Sequence, residues 1–394
     1  MARKRKEEGG VVGKPTPRTL LTQSLIDSAV KEYGEANIVS MERFFDSIYG
    51  LPLTGNLPLQ YVTGLSVVPM ERVYNLVGTW GTMKSTLAWY FAKIYVDNGG
   101  VVVWLDTEHK SNPVIVRLML GVAKEVADGA VLQQKIKTLD ELLGALQKYA
   151  SWYDEQVPDK DIPLMILVDS LGAVTSEEAV DKMKKDGSAG DVGFGAAHNA
   201  RNLTEQMRAF VPTHVATKPM TLVMTNHQKG AIDGNRPAHL PPATTEGGGA
   251  GKDFAATCTL EMKKMGKDES TKSEDRTRIM IKTKKASLTK TGKSVQVVMI
   301  TGRDKDTGED YSFFDWDAAL CELLAGDTFE RAIVKEIVTI VKANATKYSC
   351  STLGLKDVHP RVIGKAIHDN PEMVTALQNM MRIDCVRYFD YGKK

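Results

Sequence analysis

The most informative segment of this chain is NLVGTWGTMKSTLAWYFAKIY, residues Asn75 to Tyr95. An apolar run enters a turn with two glycines, passes through Lys-Ser-Thr and continues with apolar residues at helical spacing. This order is typical of a phosphate-binding loop, in which backbone N–H groups at a helix N-terminus converge on phosphate oxygens. The stretch therefore predicts a nucleotide site in an α/β domain.

Met83 departs from the phosphate-loop pattern G-x-x-x-x-G-K-S/T, which has glycine at that position. A residue that enters a helix is expected to have a negative φ, which does not require glycine. We therefore expect Met83 to be tolerated, with Lys84 reaching the outer phosphates and the Ser85 hydroxyl binding Mg²⁺. The alternative is a glycine turn that starts a helix and contains an incidental lysine.

The composition is that of an ordinary globular protein, with 42% hydrophobic and 25% charged residues among 394. No apolar segment approaches the roughly 20 residues that a membrane span needs, so we expect a soluble, cytoplasmic protein without a membrane partner. The net charge of +2 neither requires nor excludes nucleic acid. The N-terminal ARKRKEE is expected to be a solvated basic tail, rather than an address signal or a phosphate-contacting arm.

Cysteine usage indicates reduced thiols rather than a zinc site or a disulfide framework. Cys258, Cys321, Cys350 and Cys385 are scattered without CxxC spacing. This usage is consistent with a cytosol-like compartment.

Four short, continuous apolar runs separated by helical stretches predict an open α/β domain with a mostly parallel sheet and helices on both faces. The predicted buried strands are Val73–Val77, Val101–Leu105, Leu164–Val168 and Leu222–Thr225. Two later segments, Thr257–Met262 and Arg278–Thr283, are expected with Ser294–Thr301 to extend the sheet, partly antiparallel, around a charged loop KKMGKDESTKSEDR.

Flanking segments predict two small appendages. Apolar residues at Leu21, Leu25, Ile26 and Val30 indicate a short N-terminal helix, with a first domain placed at residues 1–54. The core is placed at 55–325. A small helical domain is predicted at 326–394, from an Asp327 start followed by Phe329, Ile333, Val334, Ile337 and Val341 at helical spacing, and from a further helix that begins at Asn370 and Pro371.

Two carboxylates stand at the predicted ends of strands, near the phosphate loop. Asp169 ends an apolar strand, where it can hold Mg²⁺ through water, and Glu108 lies just beyond another strand, where it can polarise an attacking water. Open parallel sheets bind ligands at this edge.

The order of these segments resembles the RecA-type recombinases. The segments are Gly78–Thr86, LDTEH, ILVDSLGAV, VMTNHQ, TTEGGGAGKDFAA and IKTKKASLTK, and together they cover about residues 55 to 317. The TNH form and the overall length are most similar to phage recombinases of the UvsX kind, some of which also carry a bulky residue before the loop lysine. The resemblance implies a RecA-like P-loop ATPase core.

The resemblance implies roles for named residues in binding MgATP. Ser85 and Asp169 would hold the metal, Lys84 the phosphates, and Glu108 would activate water. His227 would sense the γ-phosphate; the alternative is a satisfied histidine at a strand end. The remaining nucleotide-binding positions lie in the phosphate loop: Gly78, Thr79, Trp80, Gly81, Thr82, Met83 and Thr86. In cellular members an aromatic residue stacks on adenine where this chain has Ile115, which leaves the adenine contact open.

The resemblance also implies two DNA-binding loops, although a solvated flexible loop is the alternative for each. A glycine-rich loop with a few cations suits sequence-independent binding of a DNA backbone. The residues that these loops would use are Lys182, Lys184, Lys185, Lys229, Arg236, Gly247, Gly248, Gly249 and Lys252.

Lys282 and Lys284 match a lysine pair that reaches the neighbouring subunit's ATP in the family; the alternative is two lysines on the exposed face of a strand. The resemblance then implies an ATP-dependent recombinase that forms a helical homopolymer on single-stranded DNA and pairs it with homologous duplex DNA, with a single-strand-binding protein and a mediator as possible partners. The alternatives are a ring-forming helicase or recombination mediator with a related core, and a non-catalytic scaffold.

Overall fold

The computed structural model describes residues 24–25, 27–32, 49–110, 116, 120–121, 129–157, 159–177, 180–181, 192–230, 244–246, 255–267, 275–303, 308, 310–326, 337–344, 346–381, 383 and 387–388. The chain forms two compact units, Met1–Ile48 and Tyr49–Lys394. In the first unit, residues 24–25 and 27–32 are helical, as the N-terminal apolar spacing predicts, and Leu25 is exposed.

The second unit is organised around a ten-stranded sheet with the order β12-β11-β10-β9-β3-β7-β6-β4-β5, with β8 paired to β7. The strands of the described chain are β1 Tyr49–Pro52, β2 Val67–Pro69, β3 Arg72–Gly78, β4 Val101–Asp106, β5 Val131–Lys135, β6 Leu164–Asp169, β7 Met220–Gly230, β8 Thr244–Glu246, β9 Cys258–Lys267, β10 Asp275–Ala286, β11 Ser294–Arg303, β12 Asp310–Phe314, β13 Ile340–Lys342, β14 Tyr348–Cys350, β15 Leu355–Val358 and β16 Arg387–Tyr388.

Strands β9, β3, β7, β6, β4 and β5 run parallel, which confirms the predicted sheet. Strands β10, β11 and β12 continue it as antiparallel neighbours. Strands β9 and β10 reach Lys267 and begin at Asp275, so they occupy both ends of the segment predicted as a charged loop. The polar residues at these two strand ends do not prevent strand formation, because an antiparallel pair can extend into solvent beyond the part of the sheet that is covered by helices.

Helices cover the sheet and are capped by local sequence. Thr138 and Asp315 accept N–H groups at the starts of two of them, as expected for N-cap residues. None of the described helices is long and apolar enough to cross a membrane. The helices are α1 Leu57–Thr63, α2 Lys84–Asp97, α3 Leu139–Gln156, α4 Val192–Phe210, α5 Trp316–Ala325, α6 Pro360–His368 and α7 Pro371–Met380.

Side chains alternate across the parallel strands and pack into two hydrophobic layers, one on each face of the sheet. In β6, Met165 and Leu167 join the layer that contains α2, whereas Ile166 and Val168 join the layer that contains α3 and the C-terminal half of α4. This alternation follows from the two-residue period of a strand. Because both faces of the sheet are covered, its central parallel strands are continuous apolar runs in the sequence.

The C-terminal part differs from the all-helical prediction. Helix α7 begins at Pro371 with Asn370 as its N-cap, as predicted. However, β13, β14 and β15 form a three-stranded antiparallel sheet, and Val341, which was predicted to be helical, lies in β13. Strands of three or four residues are too short to show a period, so tertiary packing decides them. Residues Phe329, Ile333 and Val334 lie outside the described residues.

Candidate functional site

The ends of four adjacent parallel strands bring the predicted chemistry together. Gly78 at the end of β3 is the register partner of His227 in β7, and Asp106 at the end of β4 is the partner of Asp169 in β6. The phosphate loop leaves this edge and leads directly into α2. The site therefore occupies the sheet edge where parallel α/β folds bind ligands.

Two glycines have structural reasons to be glycine. A Cβ at Gly78 would lie 2.4 Å from the carbonyl oxygen of Met262 and 2.7 Å from Oγ1 of Thr82, so no side chain fits between β3 and β9. Gly81 has φ of 69°, in the left-handed region that glycine adopts at little cost. These two positions let the loop turn tightly after the strand.

Met83 also adopts the left-handed conformation, with φ of 62° and ψ of 31°, and it is the N-cap residue of α2. The expectation of a negative φ was therefore wrong. The loop reverses its direction at this residue to begin the helix, and the reversal requires the conformation for which glycine is usual. A non-glycine residue in this region costs about 1–2 kcal/mol. The Met83 side chain, which is half-buried against the core, offsets part of that cost.

Lys84 and Ser85 occupy the first turn of α2, which has no side-chain N-cap. The Lys84 ammonium donates to the carbonyl oxygen of Thr79 at 2.8 Å, across the loop, and is nearly buried. Burial lowers the pKa of Lys84, and the charges of Asp169 and Glu108 oppose that shift. The cation thus lies within the loop that the sequence predicts to hold phosphates.

Asp169 is a buried carboxylate with hydroxyl neighbours. The Ser85 hydroxyl donates to its Oδ1 at 3.0 Å, and the Thr225 hydroxyl donates to the same atom at 2.5 Å. Burial raises the pKa of Asp169, and these two hydrogen bonds partly oppose the rise. Sequence reasoning placed Thr225 only at a strand end; its role at Asp169 depends on the β6–β7 pairing.

Glu108 forms a hydrogen-bonded pair with His227, at 2.7 Å between Oε1 and Nε2. Both side chains are about one-fifth exposed. Burial is the largest single effect and would raise the pKa of Glu108, but the contributions of His227, Ser170 and Lys110 together outweigh it, and the net pKa is lowered. The carboxylate is therefore held ionised beside the phosphate loop, the state in which a carboxylate can accept a proton.

Asp106 is a site residue that sequence reasoning missed. Its Oδ1 accepts the backbone N–H of His109 at 2.9 Å, and its Oδ2 accepts from Gln133 at 3.0 Å. The side chain is almost completely buried. These contacts fix the short turn that carries Glu108. An aspartate at the end of an apolar strand, two residues before Glu108, was the available signal.

The indole of Trp80 lies beside His227. The two ring centroids are 5.8 Å apart with an interplanar angle of 21°, a stacked arrangement, and the Lys110 ammonium lies 4.9 Å from the indole centroid. Trp80 is 71% exposed. The phosphate loop, the turn after β4 and strand β7 therefore meet through these side chains.

Beyond His227, β7 continues into the segment predicted as the second DNA loop. Gln228 and Lys229 pair with Glu246 and Thr245 of β8, so this segment begins as a hairpin rather than an open loop. The Gln228 amide also donates to Glu261 at 3.2 Å. The remaining predicted DNA-binding residues lie outside the described residues, as does Ile115: Lys182, Lys184, Lys185, Arg236, Gly247, Gly248, Gly249 and Lys252.

Lys282 and Lys284 lie in β10 and are both exposed, whereas Ile281, before them, and Thr283, between them, are buried. The expected shared face is therefore confirmed. The pair stands on a strand separated from β3 by β9.

The donor set fits a magnesium nucleotide. The first turn of α2 offers uncapped N–H groups, Lys84 a buried cation, and Ser85 and Asp169 a hydroxyl and a carboxylate that share a hydrogen bond. Magnesium is usually bound by one or two protein oxygens together with phosphates and water. No group of three or more His, Cys, Asp or Glu suited to a metal occurs in the part of the chain described.

The family described as the RecA N-terminal domain matches residues 21–304. The chain is 25% identical to Protein RecA of Fusobacterium nucleatum over 241 residues, which cover 60% of this chain and 56% of that protein. It is 25% identical to Protein RecA of Ruegeria pomeroyi over 257 residues, 62% of this chain and 65% of that protein. It is 25% identical to Protein RecA of Desulforapulum autotrophicum over 305 residues, which cover 75% of this chain and 78% of that protein. The chain thus spans less than two thirds of the length of the first two relatives.

Proposed function

This chain belongs to the RecA family, and from that premise we propose that it is a DNA-dependent ATPase that acts as a recombinase. It forms helical filaments on single-stranded DNA and promotes homologous pairing and strand exchange. The observation that carries the proposal is the 2.7 Å hydrogen bond between Glu108 and His227, because it joins a hydrolytic carboxylate to the strand that leads into the β7–β8 hairpin.

ATP with Mg²⁺ supplies the transferable phosphoryl group when bound. Lys84 and the N–H groups of the first turn of α2 bind phosphate oxygens, and Ser85 and Asp169 hold the metal. Asp169 is suited to this role because its desolvated carboxylate gains more from a divalent cation than an exposed one. Thr225 keeps its Oδ1 oriented.

Glu108 orients and polarises the water that attacks the terminal phosphate. His227 holds Glu108 in place through this hydrogen bond. Because Gln228 and Lys229 follow His227 directly in β7, a shift of His227 also shifts these two residues. Movement of the carboxylate during turnover therefore changes the hairpin that we propose to contact DNA. In the same way, DNA on the hairpin changes the position of the base.

Lysines and an arginine on glycine-rich segments bind the DNA backbone without sequence preference. Neutralisation of phosphate charge dominates the affinity of this kind of binding. In the first loop these residues are Lys182, Lys184 and Lys185, and in the second Lys229, Arg236 and Lys252 with Gly247–Gly249. Lys282 and Lys284 complete the ATP site of an adjacent copy, as cations supplied in trans. The helix of segment 1–54 docks on the core, residues 55–325, of the adjacent subunit, and residues 326–394 form the C-terminal part.

The test is ATP hydrolysis with and without single-stranded DNA, followed by electron microscopy of the same sample. We expect DNA to stimulate hydrolysis and filaments to form with ATP and DNA. Hydrolysis that ignores DNA, with no filament, contradicts the proposal. Filaments without DNA-stimulated hydrolysis would select a scaffold, and unwinding of a forked duplex without a homologous partner would select a helicase.

A further inference from the structure

Trp80 is a conspicuous residue in the phosphate loop. A phosphate loop binds through backbone N–H groups and its lysine, and neither contribution requires an indole at this position. The side chain is also 71% exposed, which leaves a large apolar ring in solvent. A side chain with this cost and without a role of its own in phosphate binding calls for another function.

The stack on His227 provides that function. Gly78 and His227 are register partners on adjacent parallel strands, so a side chain two residues after Gly78 can reach the imidazole. The ring planes differ by 21° with centroids 5.8 Å apart. A stacked pair of rings of this kind stabilises the structure by more than the burial of its apolar surface alone.

His227 needs a second constraint, and Trp80 supplies one. The imidazole makes a hydrogen bond through Nε2 to Glu108, whereas its buried Nδ1 has no hydrogen-bond partner among the described residues. A ring held by one hydrogen bond can still rotate about that bond. A stacked indole fixes the plane of the ring, and Lys110 lies against the same indole.

We propose that Trp80 is a positioning residue: its indole holds the imidazole of His227 on Glu108 and thereby determines how strongly DNA stimulates ATP hydrolysis. The inference rests on the proposed function. It adds a side-chain contact between the phosphate loop and the strand that leads into the β7–β8 hairpin, through an indole that binds neither phosphate nor metal.

A double-mutant cycle between Trp80 and His227 tests the proposal. In the His227-containing protein, Trp80→Ala should lower kcat with single-stranded DNA about five- to tenfold and leave the KM for ATP within about twofold, because the backbone phosphate contacts remain. In the His227→Ala background the same substitution should have no further effect. Trp80→Phe should restore most of the loss, since a phenyl ring can also stack.

Trp152→Ala is the matched control, because this tryptophan is also partly exposed but lies on α3. It should leave kcat unchanged. Independent effects of Trp80→Ala and His227→Ala that multiply in the double variant would overturn the proposal. So would a Trp80→Phe variant as impaired as Trp80→Ala.

A second measurement separates this inference from the proposed function. The Trp80 fluorescence is the difference between the wild-type and Trp80→Phe emission, and an imidazole stacked on the indole quenches it. The emission should therefore rise in His227→Ala, whether or not DNA stimulates hydrolysis. Unchanged emission would overturn the stack. Wild-type hydrolysis that ignores DNA would overturn the proposed function, and with it the effect of Trp80 on DNA stimulation, but it would leave the stack standing.

Discussion

The Nε2 atom of His227 lies 2.7 Å from Oε1 of Glu108, although the two residues are 119 positions apart in the sequence. Glu108 follows β4 and His227 lies in β7, so β6 stands between their strands in the sheet. The pair connects the carboxylate proposed to activate water with the strand that enters the β7–β8 hairpin. Hydrolysis and DNA contact would then share one hydrogen bond.

Replacing Glu108 by glutamine should separate nucleotide binding from turnover. The amide keeps the size of the carboxylate and can still accept from His227, but it cannot act as a base. We expect ATP hydrolysis to fall about 10²- to 10⁴-fold, while binding of a fluorescent ATP analogue stays within about threefold. Lys84→Ala is the contrasting variant, since it should remove ATP turnover by weakening binding. Unaltered turnover in Glu108→Gln would remove Glu108 from the role of base.

Because Met83 has a left-handed conformation, we expect the usual stability order of alanine and glycine variants to be reversed at this position. At φ of 62°, glycine should make the protein more stable than alanine by about 0.5–1 kcal/mol, because the relief of strain exceeds the entropy that glycine loses on folding. Urea unfolding of Met83→Ala and Met83→Gly measures this difference. Both variants remove the side chain beyond Cβ, so the packing lost by those atoms cancels.

Lys93 in the interior of α2 is the control position for that comparison. There Lys93→Ala should be more stable than Lys93→Gly by about 1 kcal/mol, as in ordinary helices. If alanine were also the more stable residue at position 83, the left-handed assignment of Met83 would be wrong.

The parallel strands and the loop lysine could be predicted because each leaves a local signal. Buried strands such as Leu164–Asp169 are continuous apolar runs, and Lys84-Ser85 follows a glycine turn directly after one of them. The stacked pair of Trp80 and His227 leaves no such signal. It depends on the register of two strands that are far apart in sequence, and neither residue shows its partner.

Two local errors have physical causes. The φ of Met83 was predicted from the geometry of a helix interior, but the residue is the N-cap, where the chain turns before the helix begins. Val341 continued a helical spacing of apolar residues, yet it lies in a three-residue strand held by β14. A spacing of apolar residues cannot tell a helix from a short strand that tertiary contacts stabilise.

Asp169→Asn should stabilise the nucleotide-free protein in a pH-dependent manner. Because burial raises the pKa of Asp169 in the folded state, the folded protein binds this proton more tightly than the unfolded chain does. The wild type therefore loses stability as the pH rises above the ordinary aspartate pKa of about 3.9. The variant avoids this loss, so its melting temperature should exceed that of the wild type at pH 8, by about 2–4 °C for each kcal/mol.

The same comparison near pH 4 should show a smaller difference. With magnesium and ATP the order should reverse, because the variant lacks the carboxylate that we propose to hold the metal. Asp140→Asn, an exposed position in the first turn of α3, should not stabilise, since a carboxylate there favours the helix dipole. A variant of Asp169 that is less stable than the wild type at pH 8 without nucleotide would contradict the raised pKa.

Lys282 and Lys284 should act on a neighbouring copy of the chain. The double variant Lys282→Ala/Lys284→Ala is expected to bind ATP but to lose most DNA-stimulated hydrolysis. Mixing it with Lys84→Ala should restore part of the activity, because one variant supplies an intact phosphate loop and the other supplies the lysines. Lys290→Ala, a substitution of another exposed lysine, should behave as the wild type. A mixture no more active than its two components would rule out action in trans.

If nucleotide bound at the phosphate loop controls how tightly the protein binds DNA, the affinity for single-stranded DNA must depend on nucleotide. The measurement is fluorescence anisotropy of a labelled oligonucleotide, with and without a non-hydrolysable ATP analogue, for the wild type and Lys84→Ala. We predict that the analogue tightens binding by the wild type at least about tenfold and leaves Lys84→Ala unchanged. Equal affinity of the wild type with and without the analogue would show that nucleotide does not control DNA binding.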